Sequence, residues 1–132
     1  LSNTNGPATT LTSISVAMFT VSDQDAAVAF YTGKLGFEVR YDAPFGENGE
    51  MRWVEVAPPG STATLSLNPP MGGTPGGSSI AVSSSDVAGE HSRLVGLGDI
   101  DVDSNLMETP GAPLMFMVRD PDGNTVVVVE ES

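Results

Sequence analysis

Few side chains in this sequence can do chemistry on their own. There is one histidine, His91, and no cysteine. The missing thiols exclude a zinc-thiolate site, an iron–sulfur cluster, a disulfide framework and a cysteine nucleophile together. His91 could act as a ligand or general base, yet it sits in a helical stripe with Val87, Leu94 and Val95. Glu55 alternates with Trp53 in RWVEVAPP. If that face looks into a cavity, Glu55 is a carboxylate able to act as a base or hold a cation. Otherwise it is a surface acid paired with Arg52 or Arg119. Trp53, the only tryptophan, suits either a planar ligand or core packing.

Other acidic and glycine-rich stretches carry less. Asp120 and Asp122 belong to the turn DPDGN, where Asp caps backbone. Asp99, Asp101 and Asp103 alternate like a calcium loop but lack its glycine and distal glutamate, and so read as a solvated strand face. Gly72–Gly73 and Gly76–Gly77 lack the Lys-Ser/Thr of a phosphate loop, which argues against nucleotide binding.

The elements that must position these groups occur twice. Ser13 to Val21 alternates as a strand, Ser22–Asp23 is a helix N-cap pair, and Ala27, Phe30, Tyr31 and Leu35 form one apolar helical face closed by Gly36. Ile80 to Ser84, the cap pair Ser85–Asp86, the stripe from Val87 to Val95 and Gly98 repeat the plan 63 positions later. The expected helices are Asp23–Leu35 and Asp86–Leu97. Strands at Phe37 to Tyr41, Met51 to Val56 and Ala63 to Leu67 complete the first unit. Ile100 to Val102, Leu114 to Val118 and Thr125 to Val129 complete the second. The order βαβββ, linker, βαβββ is an α+β fold. Residues 1–12 read as a disordered N-terminal segment and 13–132 as one domain, with module one at 13–68, a linker at 69–78 and module two at 79–132.

Charge and length narrow the partners. The 132 residues carry 17 acidic and 5 basic side chains, a formal charge of −12. Such a surface repels phosphate backbones and anionic membranes and tolerates a cationic ligand. No run approaches the roughly 20 apolar residues of a membrane helix, and no signal segment opens the chain. A cytoplasmic protein that binds neither nucleic acid nor membrane is expected.

The motifs resemble the vicinal oxygen chelate superfamily, which includes glyoxalase I, bleomycin-resistance proteins, fosfomycin-resistance enzymes and extradiol dioxygenases. VSDQDAAVAFYTGKLGFEV (Val21 to Val39) is similar to its first strand–helix–strand, RWVEVAPPGS (Arg52 to Ser61) to its third strand, and RDPDGNTVVVVE (Arg119 to Glu130) to its closing hairpin. The resemblance implies paired βαβββ modules forming a cup-shaped mixed β-sheet with helices outside, a homodimer, and four cup-facing metal ligands. By motif those four positions are Val16, Ser66, Ser79 and Val127. Two alkyl groups and two neutral hydroxyls are a poor ligand set, so neither metal nor another cofactor is expected. With helices outside the cup, His91 has a structural role.

Strand parity then lists the lining. If Val16 faces the cup, so do Ile14, Met18 and Thr20. Thr64, Ser66 and Asn68 share a face, as do Ser79, Ala81 and Ser83, and Thr125, Val127 and Val129. Met115 and Met117 add adaptable apolar surface or pack as core. The expected ligand contacts are Met18, Trp53, Glu55, Ser66, Ser79 and Met117. The leading expectation is a metal-free binder of a bulky organic molecule, aromatic or cationic, of the bleomycin-resistance type linked with antibiotic resistance. The alternative is a lyase, isomerase or dioxygenase-like enzyme of the same superfamily.

Overall fold

The computed structural model describes residues 8–132. Its elements are β1 (Val16–Thr20), α1 (Gln24–Gly33), β2 (Glu38–Phe45), β3 (Met51–Ala57), β4 (Thr64–Asn68), β5 (Ser79–Ser84), α2 (Val87–Leu97), β6 (Asp101–Val102), β7 (Met115–Arg119) and β8 (Thr125–Glu130). Both helices start where the cap pairs place them. The Asp23 carboxylate accepts from Ala26 N and that of Asp86 from Gly89 N, which satisfies amides that have no partner inside the helix. Gly98 ends α2 with φ 77°. The first helix stops at Gly33, short of Leu35, and the chain turns out at Gly36 with φ 75°.

The strands form two open four-stranded sheets, ordered β1-β4-β3-β2 and β5-β8-β7-β6. In each, the first and last strands of the module pair in parallel and the other pairs are antiparallel. The duplication therefore holds in topology, and the cup-shaped surface is divided between two sheets that one chain does not close. β1 is shorter than the alternation of Ser13 to Val21 suggests. β2 is longer than expected, running through Pro44 to Phe45. It is an edge strand, and there the missing proline N–H breaks no ladder. Its register shifts between Val39 and Tyr41.

Each helix covers one face of its own sheet. Phe19, Val54, Val56, Leu65 and Leu67 lie against α1, and Phe116, Val118, Val126 and Val128 against α2, all buried in one core shared by the modules. The other face of each sheet has no covering layer. Of the expected linker, Gly76 N donates to Thr20 O at 3.2 Å, tying it to the end of β1. Of the expected disordered segment, residues 1–7 lie outside the described residues, and 8–12 form no helix or strand and are exposed. No helix among the described residues is long and apolar enough to cross a membrane.

Candidate functional site

The uncovered face of the first sheet is built by alternation. Cross-strand partners place Met18 beside Ser66, Ser66 beside Glu55, Glu55 beside Tyr41, and Trp53 beside Ala43. Met18, Trp53, Glu55 and Ser66 therefore share one face, a choice that alternation within β3 left open. Met18 is 57% exposed while Ser66, beneath its neighbours, is fully buried. The Ser66 hydroxyl makes one long bond, 3.4 Å, to Ala17 O.

Glu55 is held by two neutral donors. Thr64 Oγ1 donates to Oε1 and Trp53 Nε1 to Oε2, each at 2.6 Å. The Thr64 bond and then the Trp53 bond hold its carboxyl below the usual range, against the opposing effect of burial. A carboxylate stabilised as the anion is a weak base, so the arrangement favours an electrostatic role over proton abstraction. Neither arginine considered from sequence is its partner. Arg52 points to the helix side, bridging Asp25 and Asp42, and Arg119 pairs with Asp101 and Asp103. Asp101, its side chain 68% exposed, remains on a solvated face, while Asp103, 29% exposed, also accepts from Met117 N.

A shallow groove of about 610 Å³ opens on this face, lined by Arg40, Tyr41, Ala43, Pro44, Phe45, Trp53 and Glu55. Tyr41 and Phe45 are not among the expected contacts, since a strand ending at Tyr41 shows no alternation beyond it; the alternation Tyr41, Ala43, Phe45 in the longer β2 is the signal. A second concavity, about 630 Å³, lies between β5 and the β1–β4 end of the first sheet. Ile14, Ala17, Leu65, Ile80, Val82 and Pro58 are among its apolar walls, and Glu131 is its carboxylate.

Ser79 and Met117 lie on the second sheet, on the face opposite its buried Phe116 and Val118. Ser79 pairs with Thr125 and Met117 with Val127. The six expected contact residues thus form two groups, four on one sheet and two on the other.

The superfamily metal does not fit these residues. Val16 and Ser66 stand on the first face and Ser79 and Val127 on the second. Among the described residues no three His, Cys, Asp or Glu side chains are grouped to hold an ion. Among them, the buried side-chain oxygen without a partner, Asn68 Oδ1, offers a single neutral ligand atom. His91 stacks edge-on against Phe116 at 4.9 Å, and its Nε2 lies 2.7 Å from Asp103 O, a packing role between α2 and its sheet.

Comparison with known proteins agrees with this geometry. TnmS3, an antibiotic binding protein from Streptomyces sp. CB03234, superposes with TM-score 0.82 at 31% identity, covering 95% of this chain and all of that one. A superfamily member from Sphaerobacter thermophilus DSM 20745 gives TM-score 0.82 at 31% identity, covering 92% and 98%. The Bacillus subtilis (strain 168) protein YetH is 32% identical over 114 residues, 83% of this chain and 91% of its own. A lactoylglutathione lyase from Agrobacterium tumefaciens, at 23% identity and TM-score 0.70, shares the fold. Residues 13–128 match the family profile itself, and the chain belongs to the Glyoxalase/Bleomycin resistance protein/Dioxygenase superfamily.

Proposed function

We propose that this protein binds a bulky organic molecule on its uncovered sheet faces, without a divalent metal. The observation that carries this is the Trp53–Glu55 pair on an open apolar face, in a fold whose metal positions hold Val16, Ser66, Ser79 and Val127. Trp53 supplies a broad aromatic contact and Glu55 a fixed acceptor; exposed Met18 extends the same face, Ser66 lies buried beneath it, and Ser79 and Met117 belong to the open face of the second sheet. The antibiotic-binding relative supports binding over catalysis, and the weakened basicity of Glu55 argues against a lyase or isomerase that uses it as a base. A homodimer would bring two such faces together, and isologous pairing is the commonest assembly.

The test uses Trp53 as its own reporter, being the only tryptophan. Titration with polycyclic aromatic antibiotics should give a saturable change in its emission. Emission unchanged by every compound would overturn the reading. So would a stoichiometric divalent ion that raises the melting temperature and is lost in Glu55→Gln. Light scattering should give twice the chain mass.

A further inference from the structure

We propose that the groove between β2 and β3 recognises an organic ammonium cation, protonated or quaternary, with Glu55 as its counter-charge and Tyr41, Phe45 and Trp53 as its aromatic walls. This rests on the reading of the open face as a binding surface and names the ligand chemistry it selects.

The walls come from strand geometry. Tyr41 and Phe45 stand on either side of Ala43 on β2, about 13 Å apart along the strand. Ala43 faces Trp53 across the ladder, and Glu55 faces Tyr41. A methyl group opposite an indole leaves a notch between large neighbours. Phe45 meets Trp53 edge to face at 6.3 Å. Tyr41 and Phe45 remain 53% and 40% exposed, so aromatic surface is open to a ligand. Ring faces carry negative charge density and attract alkylated cations.

The charge balance selects the cation. Both bonds to the Glu55 carboxylate come from neutral groups, Thr64 and Trp53. Arg40, which also lines the groove, is already engaged at all three nitrogens: Nε with Glu38, Nη1 with Ser61 O and Nη2 with Pro58 O, at 2.7 to 2.8 Å. A neutral ligand covering Glu55 would strip water from an anion and return no positive charge, which is unfavourable. A cation removes that penalty, and the spare lone pairs of the carboxylate remain available to an N–H donor. The overall charge of −12 draws cations toward the surface as well.

The experiment compares two probes with the same rings by calorimetry: N-methylacridinium, a fixed cation, and acridine at slightly alkaline pH, where it is neutral. The wild-type protein should bind the cation about tenfold more tightly, and added salt should narrow the gap. Glu55→Gln should abolish the advantage, weakening the cation and leaving the two probes with similar affinities. Equal affinity of the two probes in the wild type overturns the cation selectivity while leaving the binding surface standing. Selectivity that survives in a folded Glu55→Gln protein overturns Glu55 as the counter-charge. Binding of neither probe overturns both. If Glu55→Gln fails to fold, Glu55→Ala takes its place with the same two outcomes.

Discussion

The Tyr31 hydroxyl, on α1, donates to Asp120 Oδ2 at 3.0 Å, a buried bond between residues 89 positions apart that joins the two modules. The same carboxylate accepts from Asn124 Nδ2 at Oδ2, and from the backbone amides of Asp122 and Asn124 at Oδ1. Asn124 in turn donates to Thr20 O. The turn aspartate expected from sequence is therefore also an anchor for the first helix. Phe30 and Phe37 fix the Tyr31 ring, with centroids 5.1 and 5.5 Å away.

Removing the Tyr31 hydroxyl should cost more than a surface bond. Tyr31→Phe deprives a buried carboxylate of a donor and should lower stability by about 1–3 kcal/mol, read by urea unfolding. Burial, and then the nearby Asp120, push the Tyr31 pKa far above its ordinary value of 10.0. A raised folded-state value means that this stability is complete below the unfolded pKa and declines as pH rises beyond it. The wild type should lose stability above about pH 10, and Tyr31→Phe should lose less over the same range.

Glu55 carries the opposite sign. Its pKa is depressed, chiefly by Thr64, so its contribution is present above the ordinary glutamate range and fades as pH falls through the folded value. Side-chain carboxyl NMR should show Glu55 titrating below the ordinary glutamate value. Thr64→Val should move it upward, toward 4.5. No movement would show that Thr64 does not set the charge state.

The two N-caps should act as equals. Asp23→Ala and Asp86→Ala each remove one side-chain acceptor from the start of a helix and should cost about 1 kcal/mol. The caps share no partner, so the double variant should show the sum within about 0.5 kcal/mol in denaturant unfolding.

Gly76 should be the least replaceable of the linker glycines. Its φ is +88°, and a Cβ there would overlap the carbonyl oxygen of Asp122 in the turn that holds Asp120. Gly76→Ala should cost about 2 kcal/mol or more, whereas Gly60→Ala, at φ +87° in open space, should cost about 1 kcal/mol. Thermal unfolding of the pair separates the clash from the backbone strain.

Much of this was legible from residues alone because the controlling physics is local. A cap aspartate acts within three residues, so Asp23 and Asp86 marked both helices and exposed the duplication. Strand alternation has a period of two whatever the neighbours are, so Trp53 and Glu55 had to share a face, but which face of β3 that is depends on its pairing with β4. That Val16, Ser66, Ser79 and Val127 stand at metal positions is implied by the family resemblance, whereas the poor ligating power of alkyl groups and neutral hydroxyls follows from their chemistry.

Tertiary structure decided what meets what. The sheet order β1-β4-β3-β2 brings Thr64 to Glu55, and no periodicity within either strand encodes which strands become neighbours. Register carried Tyr41 and Phe45 into the groove, through a proline that local preference places outside a strand and an edge position tolerates. The Tyr31–Asp120 bond required two modules to dock, with an amphipathic stripe on one and a turn on the other each looking locally complete. Pairing, docking and burial are set by contacts distant in sequence, and they put a solitary glutamate into an aromatic-lined groove and made a turn aspartate the tie between the two halves.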